Sequence, residues 1–324
     1  MSEQAVGGTA RGNETRRFSG VRPILHLAFA TDDSILHTEV AALARSMLDA
    51  GMAGLVVLGL SAEPWTLTDA ERDAVLRTAA EAVAGRAPIV AGIDGTTALA
   101  VARGRAAAAA GASGLMVLPP PSAGSTEQLR AHYSTLADAT GLPILVQDAP
   151  QSSGVTMAVE TIVALARHPL VRSVKVEAQG AGSKVTAIVE AGIEVIAGWG
   201  GMQYPELLMR GASGCMPGCD LGPALLEIDR LAREGDGDAA FGAYLRMLPL
   251  LSWEAQSLDL LLLGAKRVLC RRGIFSSDRL RSPGRGLDRV EARTLDRIVD
   301  RLAADGVPGF EERCTNTKPP EAVA

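Results

Sequence analysis

Short apolar runs alternate with longer stretches of amphipathic spacing along most of the chain. The runs fall at about residues 23–30, 54–60, 88–93, 113–118, 143–148, 171–176, 193–198 and 212–217. Each is bounded by turn-forming residues, the pattern of a strand buried on both faces. Between them lie Ala/Leu-rich segments with helical spacing, at about 37–50, 68–84, 96–110, 125–139, 157–168, 181–191 and 202–210. An eighth, at 222–233, follows the last strand. Thr68-Asp69-Ala70-Glu71 reads as a capping box, and Ser125-Thr126-Glu127 opens the fourth helix. Gly51, Gly111, Gly141 and Gly192 close helices just ahead of the next strand.

Eight such units within about 210 residues predict a (β/α)8 (TIM) barrel, because connections this short favour parallel neighbours. A doubly wound open sheet is the alternative, but no G-x-G-x-x-G follows the first strand. Residues 236–304 carry no strand signal and predict three further helices. Their apolar positions (Leu245, Leu248, Leu258, Leu261, Leu262) must cover the barrel or another subunit. The expected organisation is a disordered tail at 1–20, a barrel at 21–235, a C-terminal helical extension at 236–306 and a flexible tail at 307–324.

Composition narrows the function classes. Apolar residues make up 47% of the 324, enough for a large core. A net charge of −5 leaves no basic stripe for a nucleic acid. Arginines at 271, 272, 279, 281 and 285 are interrupted by Asp278 and Asp288, so they read as a solvated face. Residues 1–20 carry no apolar core of a signal peptide or anchor, and Leu260–Leu263 is too short to span a bilayer. Four cysteines (Cys215, Cys219, Cys270, Cys314) make no disulfide framework. The C-x3-C pair lacks further metal ligands, so reduced thiols in a cytoplasmic protein without metal are expected.

Candidate chemistry starts at Lys175, in Val171-Arg172-Ser173-Val174-Lys175-Val176-Glu177. A lysine near the end of a buried strand is poorly hydrated, which favours the neutral amine able to condense with a carbonyl. A lysine that reaches solvent or pairs with Glu177 is the other reading of this segment. Barrel active sites lie at the carboxyl ends of the strands. Gly59-Leu60-Ser61-Ala62-Glu63, Gln147-Asp148, Lys175 and Gly198-Trp199-Gly200-Gly201 therefore converge on one mouth. Gly198 suits close approach of backbone to a ligand, and Trp199 either walls the pocket or only packs. Asp148 is a candidate proton carrier, but it and Gln147 point to opposite faces of a strand. His26, inside the first strand, reads as a core histidine or a proton carrier. His37, His132 and His168 fall in helical segments and are expected at the surface.

These segments resemble the dihydrodipicolinate synthase / N-acetylneuraminate lyase family of Schiff-base aldolases. The likeness rests on Gly59-Leu60-Ser61-Ala62-Glu63 with Glu71-Arg72, Val146-Gln147-Asp148-Ala149-Pro150 with Gly154, and Val174-Lys175-Val176-Glu177-Ala178. It implies an iminium between Lys175 and a 2-oxo acid such as pyruvate, with no cofactor. It implies a carboxylate site at Gly59, Ser61 and Ala62, with Glu63 holding the turn, and a homodimer or homotetramer. The chain departs from the family at its tyrosine relay: Gln147 stands in one position and Pro119-Pro120-Pro121 in the other. The lysine segment resembles a branch containing 2-keto-3-deoxy sugar acid dehydratases. Three readings follow: a lyase (aldolase or dehydratase), a biosynthetic pyruvate–aldehyde synthase, or a retired barrel that only binds a 2-oxo acid.

Overall fold

The computed structural model describes residues 17–178 and 180–311. Eight parallel strands form one sheet in the order β1-β8-β7-β6-β5-β4-β3-β2. They are β1 (Gly20–Val21), β2 (Leu55–Val57), β3 (Ile89–Ile93), β4 (Gly114–Val117), β5 (Ile144–Asp148), β6 (Ser173–Val176), β7 (Glu194–Ala197) and β8 (Gly214–Cys215). Ile24 bridges Val56 on one side and Gly218 on the other, which closes the ring into a (β/α)8 barrel. The first strand is less regular than its apolar run suggests. Pro23 has no N–H to give, so the ladder runs through Gly20–Val21 and resumes at Ile24 as a single bridge.

The barrel helices are α1 (His37–Asp49), α2 (Asp69–Val83), α3 (Thr97–Ala109), α4 (Thr126–Thr140), α5 (Pro150–Ser153), α6 (Val159–Leu165), α7 (Gly182–Glu190), α8 (Tyr204–Met209) and α9 (Gly222–Arg233). The capping box predicted at Thr68 is present: its side chain accepts from the Glu71 N–H, and Glu71 reaches back to the Thr68 N–H. Three helices follow, α10 (Gly237–Glu254), α11 (Leu258–Arg271) and α12 (Arg289–Ala304), with α10 packed on α9, α11 and α12. Leu262 is buried in this extension, whereas Leu245 and Leu258 stay exposed. No helix among the described residues is long and apolar enough to cross a membrane.

Phe18, Ile24, Val56, Val90, Met116, Leu145, Ile196 and Met216 form the cluster inside the barrel. That cluster settles which way the mouth residues point. Gln147 follows Leu145 by two, and Lys175 lies in register between Gln147 and Ile196, so both point inward. Asp148 and Val176 therefore point to the helix layer.

At the opposite end of the barrel Glu194 accepts from the N–H groups of Arg17 and Phe18 and from the hydroxyls of Ser173 and Ser213. Phe18 is buried here, so the segment expected to be a loose tail is anchored from its seventeenth residue, while residues 1–16 lie outside the described ones. The other tail differs in the same way. Val307 and Phe310 are buried against the core, and only residues 312–324 fall outside the described part.

Candidate active site

Three strand ends build the mouth around one carboxylate. Lys175 Nζ lies 3.0 Å from Glu177 Oε1, and that same oxygen accepts a 2.7 Å hydrogen bond from Gln147 Nε2. The lysine side chain is only 2% exposed, so this pairing sits within the barrel and not on a solvated rim. Gly198 makes the arrangement possible. A Cβ there would stand 2.2 Å from Glu177 Cγ, so only glycine leaves room for the carboxylate to reach the amine. Glu177 was legible only as an ion-pair partner. Its position two residues after Lys175, on the same face of the chain, is the signal that places its carboxylate beside the amine.

The turn after β2 supplies the second half of the mouth. Residues Leu60–Ala62 form a single 3₁₀ turn, with Gly59 before it and Glu63 after it at φ 50°. Gly59 lies against the inner cluster: a Cβ would come within 2.7 Å of Ile24 Cγ2 and 3.1 Å of Met116 Cε. Ser61 and Ala62 are buried, and among the described residues the Ser61 hydroxyl meets no partner. Glu63 holds the turn from behind. One carboxylate oxygen takes the buried Lys266 ammonium and the other the Arg281 N–H at 2.9 Å. The extension thus braces this turn through Lys266 and Arg281.

Other expected residues fall elsewhere. Asp148 is a correction: its carboxylate meets Lys184 Nζ at 2.5 Å in the helix layer, on the face away from Lys175 and Gln147. Burial raises the Asp148 pKa against the opposing pull of Lys184. Trp199 stands at the rim, half-buried at φ 49°, with Gly200 beside it at φ 62°. His132 is also corrected. It is buried, with Nδ1 3.0 Å from the Thr97 hydroxyl. His26 is fully buried, and among the described residues neither ring nitrogen has a hydrogen-bond partner. Burial and the Lys266 ammonium push its pKa down to about 3, so the imidazole is neutral.

All three tyrosines are engaged away from this centre. Tyr133 donates to the Val117 carbonyl, Tyr204 to Asp229 and Tyr244 to the Met202 carbonyl. Among the described residues no cluster of His, Cys, Asp and Glu is arranged to hold a metal.

Comparison with known proteins adds the family. An L-2-keto-3-deoxyarabonate dehydratase from Azospirillum brasilense is 32% identical over 308 residues, covering 90% of this chain and 99% of that protein. A 4-hydroxy-tetrahydrodipicolinate synthase 2 from Streptomyces coelicolor is 31% identical over 294 residues, 90% of this chain and 96% of its own. The crystal structure of dihydrodipicolinate synthase from Rhodopseudomonas palustris superposes with a TM-score of 0.82 at 26% identity, over 88% of this chain and 97% of that one. With this barrel and these relatives, the molecule is a class I Schiff-base lyase, an aldolase or dehydratase in reaction type. The model of the dihydrodipicolinate synthetase family matches residues 17–302, and the chain belongs to that family.

Proposed function

We propose that this lyase is a dehydratase of 2-keto-3-deoxy sugar acids, working through an imine between Lys175 and the substrate's 2-oxo carbon. The observation that carries the reading is the Glu177 carboxylate 3.0 Å from the Lys175 amine. A carboxylate beside the amine can take protons during imine formation. Once the amine is consumed, it faces the carbons next to it. The protonated imine acidifies C3, Glu177 takes that proton, and the enamine expels the C4 hydroxyl. Gln147 orients the carboxylate from β5. Gly59, Ser61 and Ala62 receive the substrate carboxylate, and Trp199 with Gly198 forms the wall toward its distal end. The relationship to the Azospirillum dehydratase supports the same direction of chemistry.

The biosynthetic reading, addition of pyruvate to an aldehyde, uses the same enamine and has its support in the synthase relatives. Exposed Met209, Phe241 and Leu245 support a homodimer or homotetramer. Three unpaired cysteines among the described residues support a cytoplasmic setting.

Borohydride trapping tests the assignment. Incubation with pyruvate followed by reduction is expected to leave a stable adduct on the parent protein and none on Lys175→Ala. An adduct on Lys175→Ala, or none on the parent with any 2-oxo acid, overturns it and favours a barrel that only binds. Sugar-acid substrates then separate a dehydrated 2-oxo product from free pyruvate.

A further inference from the structure

We propose that His26, Asp220 and Glu254 form a buried proton relay on the β1/β8 side of the mouth, serving the C4 oxygen of the substrate. The inference rests on the Schiff-base reading above and supplies the acid that reading lacks.

The placement follows from strand register. Ile24 belongs to the same inner cluster as Ile196, the register partner of Lys175. His26 lies two residues further along on the same face, one step nearer the carboxyl end. Gly218, the bridge partner of Ile24, is the contact point. A Cβ there would lie 2.3 Å from Asp220 Oδ1 and 2.9 Å from His26 Cε1. Glu254, from the end of α10, closes the far side against Gly264 of α11, where a Cβ would meet its Oε1 at 2.9 Å.

Three residues on three elements thus converge at exposures of 0%, 1% and 3%. Among the described residues, both ring nitrogens of His26, Asp220 Oδ2 and Glu254 Oε1 meet no hydrogen-bond partner. Buried polar groups left unpaired cost stability that apolar side chains at the same positions would avoid. Packing gives no reason to keep them there; proton chemistry does.

Charge completes the case. The Asp220 and Glu254 carboxyls interact with each other, and burial raises both, so the pair retains a proton. The neighbouring charges are Lys266 of α11, paired with Glu63 of the turn, and Arg272, which donates to the Cys219 carbonyl. A neutral imidazole beside them passes a proton across its ring, accepting on one nitrogen as it donates from the other.

In the elimination, Glu177 takes the C3 proton and its electron pair forms C2=C3 as the imine nitrogen becomes an enamine. The enamine pair then forms C3=C4 and restores the iminium while the C4–O bond breaks. The departing oxygen leaves as water with the His26 proton, and His26 is reprotonated by the Asp220–Glu254 pair. Released water returns the Glu177 proton to that pair, and a second water hydrolyses the iminium, freeing the Lys175 amine and the 2-oxo product.

The experiment compares the full-length parent with Glu254→Gln, Asp220→Asn and His26→Gln in three readouts. These are borohydride trapping of pyruvate, deuterium exchange at its C3 followed by NMR, and turnover at C4 of a 2-keto-3-deoxy acid. Trapping and exchange are expected within about twofold of the parent, with turnover at C4 falling about 100-fold, the size of a lost general acid. Folded variants that keep C4 turnover, or lose exchange in step with it, overturn the relay. Glu254→Gln keeps the volume and decides the question if the histidine variant does not fold. A parent that neither traps nor exchanges overturns the Schiff-base reading itself, and the relay with it.

Discussion

Lys175 and Glu177 meet at 3.0 Å on the inner face of the barrel, and Gln147 is bonded to the same carboxylate oxygen. In the free protein the carboxylate balances the ammonium. In the proposed mechanism the amine becomes a protonated imine, which keeps the positive charge beside Glu177 while the carboxylate faces the substrate's C3. On the proposed reading one residue serves as counter-ion before the reaction and as base during it.

Glu177→Gln separates those two uses. The variant is expected to form the trapped adduct with pyruvate, because the nucleophile is intact. Deuterium exchange at C3 should fall by roughly 10²–10⁴-fold, the range for removing a positioned base. Exchange at the parent rate would move the base to another residue.

Gly198→Ala tests the space behind that carboxylate. The added methyl would sit 2.2 Å from Glu177 Cγ and 3.0 Å from its Cδ, so the side chain must swing off the amine. Turnover should drop about 100-fold, as expected for a displacement of about an ångström. Gly237→Ala, at a position where a Cβ meets nothing within 4 Å, should leave turnover unchanged.

Much of the barrel was legible because each buried strand is a short apolar run and each helix carries its own start and stop. Thr68 and Glu71 cap α2 as their spacing predicts, and Gly141 closes α4 at φ 66°. β1 was harder to read, since the apolar run at 23–30 records burial and not the ladder, which Pro23 interrupts. In the site, Lys175 and the Ser61 turn were legible from their place after strands. The pairing of Lys175 with Glu177 was also legible from their spacing, whereas Asp148, offered as a proton carrier, pairs with Lys184 in the helix layer. The cluster of His26, Asp220 and Glu254 was out of reach, because nothing in sequence joins residues on β1, after β8 and at the end of α10.

Breaking the pair between Lys266 and Glu63 should be felt in both stability and binding. Both side chains are at most 2% exposed, and Lys266 also donates to the Arg279 carbonyl and stands 4.5 Å over the Phe29 ring. Lys266→Met leaves a buried carboxylate without its cation, a loss of about 3–5 kcal/mol in urea unfolding. Adding Glu63→Gln should recover part of that stability. Both variants should raise the KM for the 2-oxo acid, since Glu63 holds the turn proposed to receive its carboxylate. Unchanged stability in Lys266→Met would mean the pair contributes nothing net.

Stability should also depend on pH through Asp220. Burial raises its carboxyl from the ordinary 3.8 to about 6. Between those values the folded chain holds a proton that the unfolded chain has released. The favourable contribution is therefore complete below about pH 4 and is lost as pH rises through about 6. Asp220→Asn does not titrate at this position. Its melting temperature minus that of the parent should grow from pH 4 to about pH 7 and then level off. Thermal melts across that range measure it, and a difference that stays flat would mean the Asp220 carboxyl ionises in the fold as it does in water.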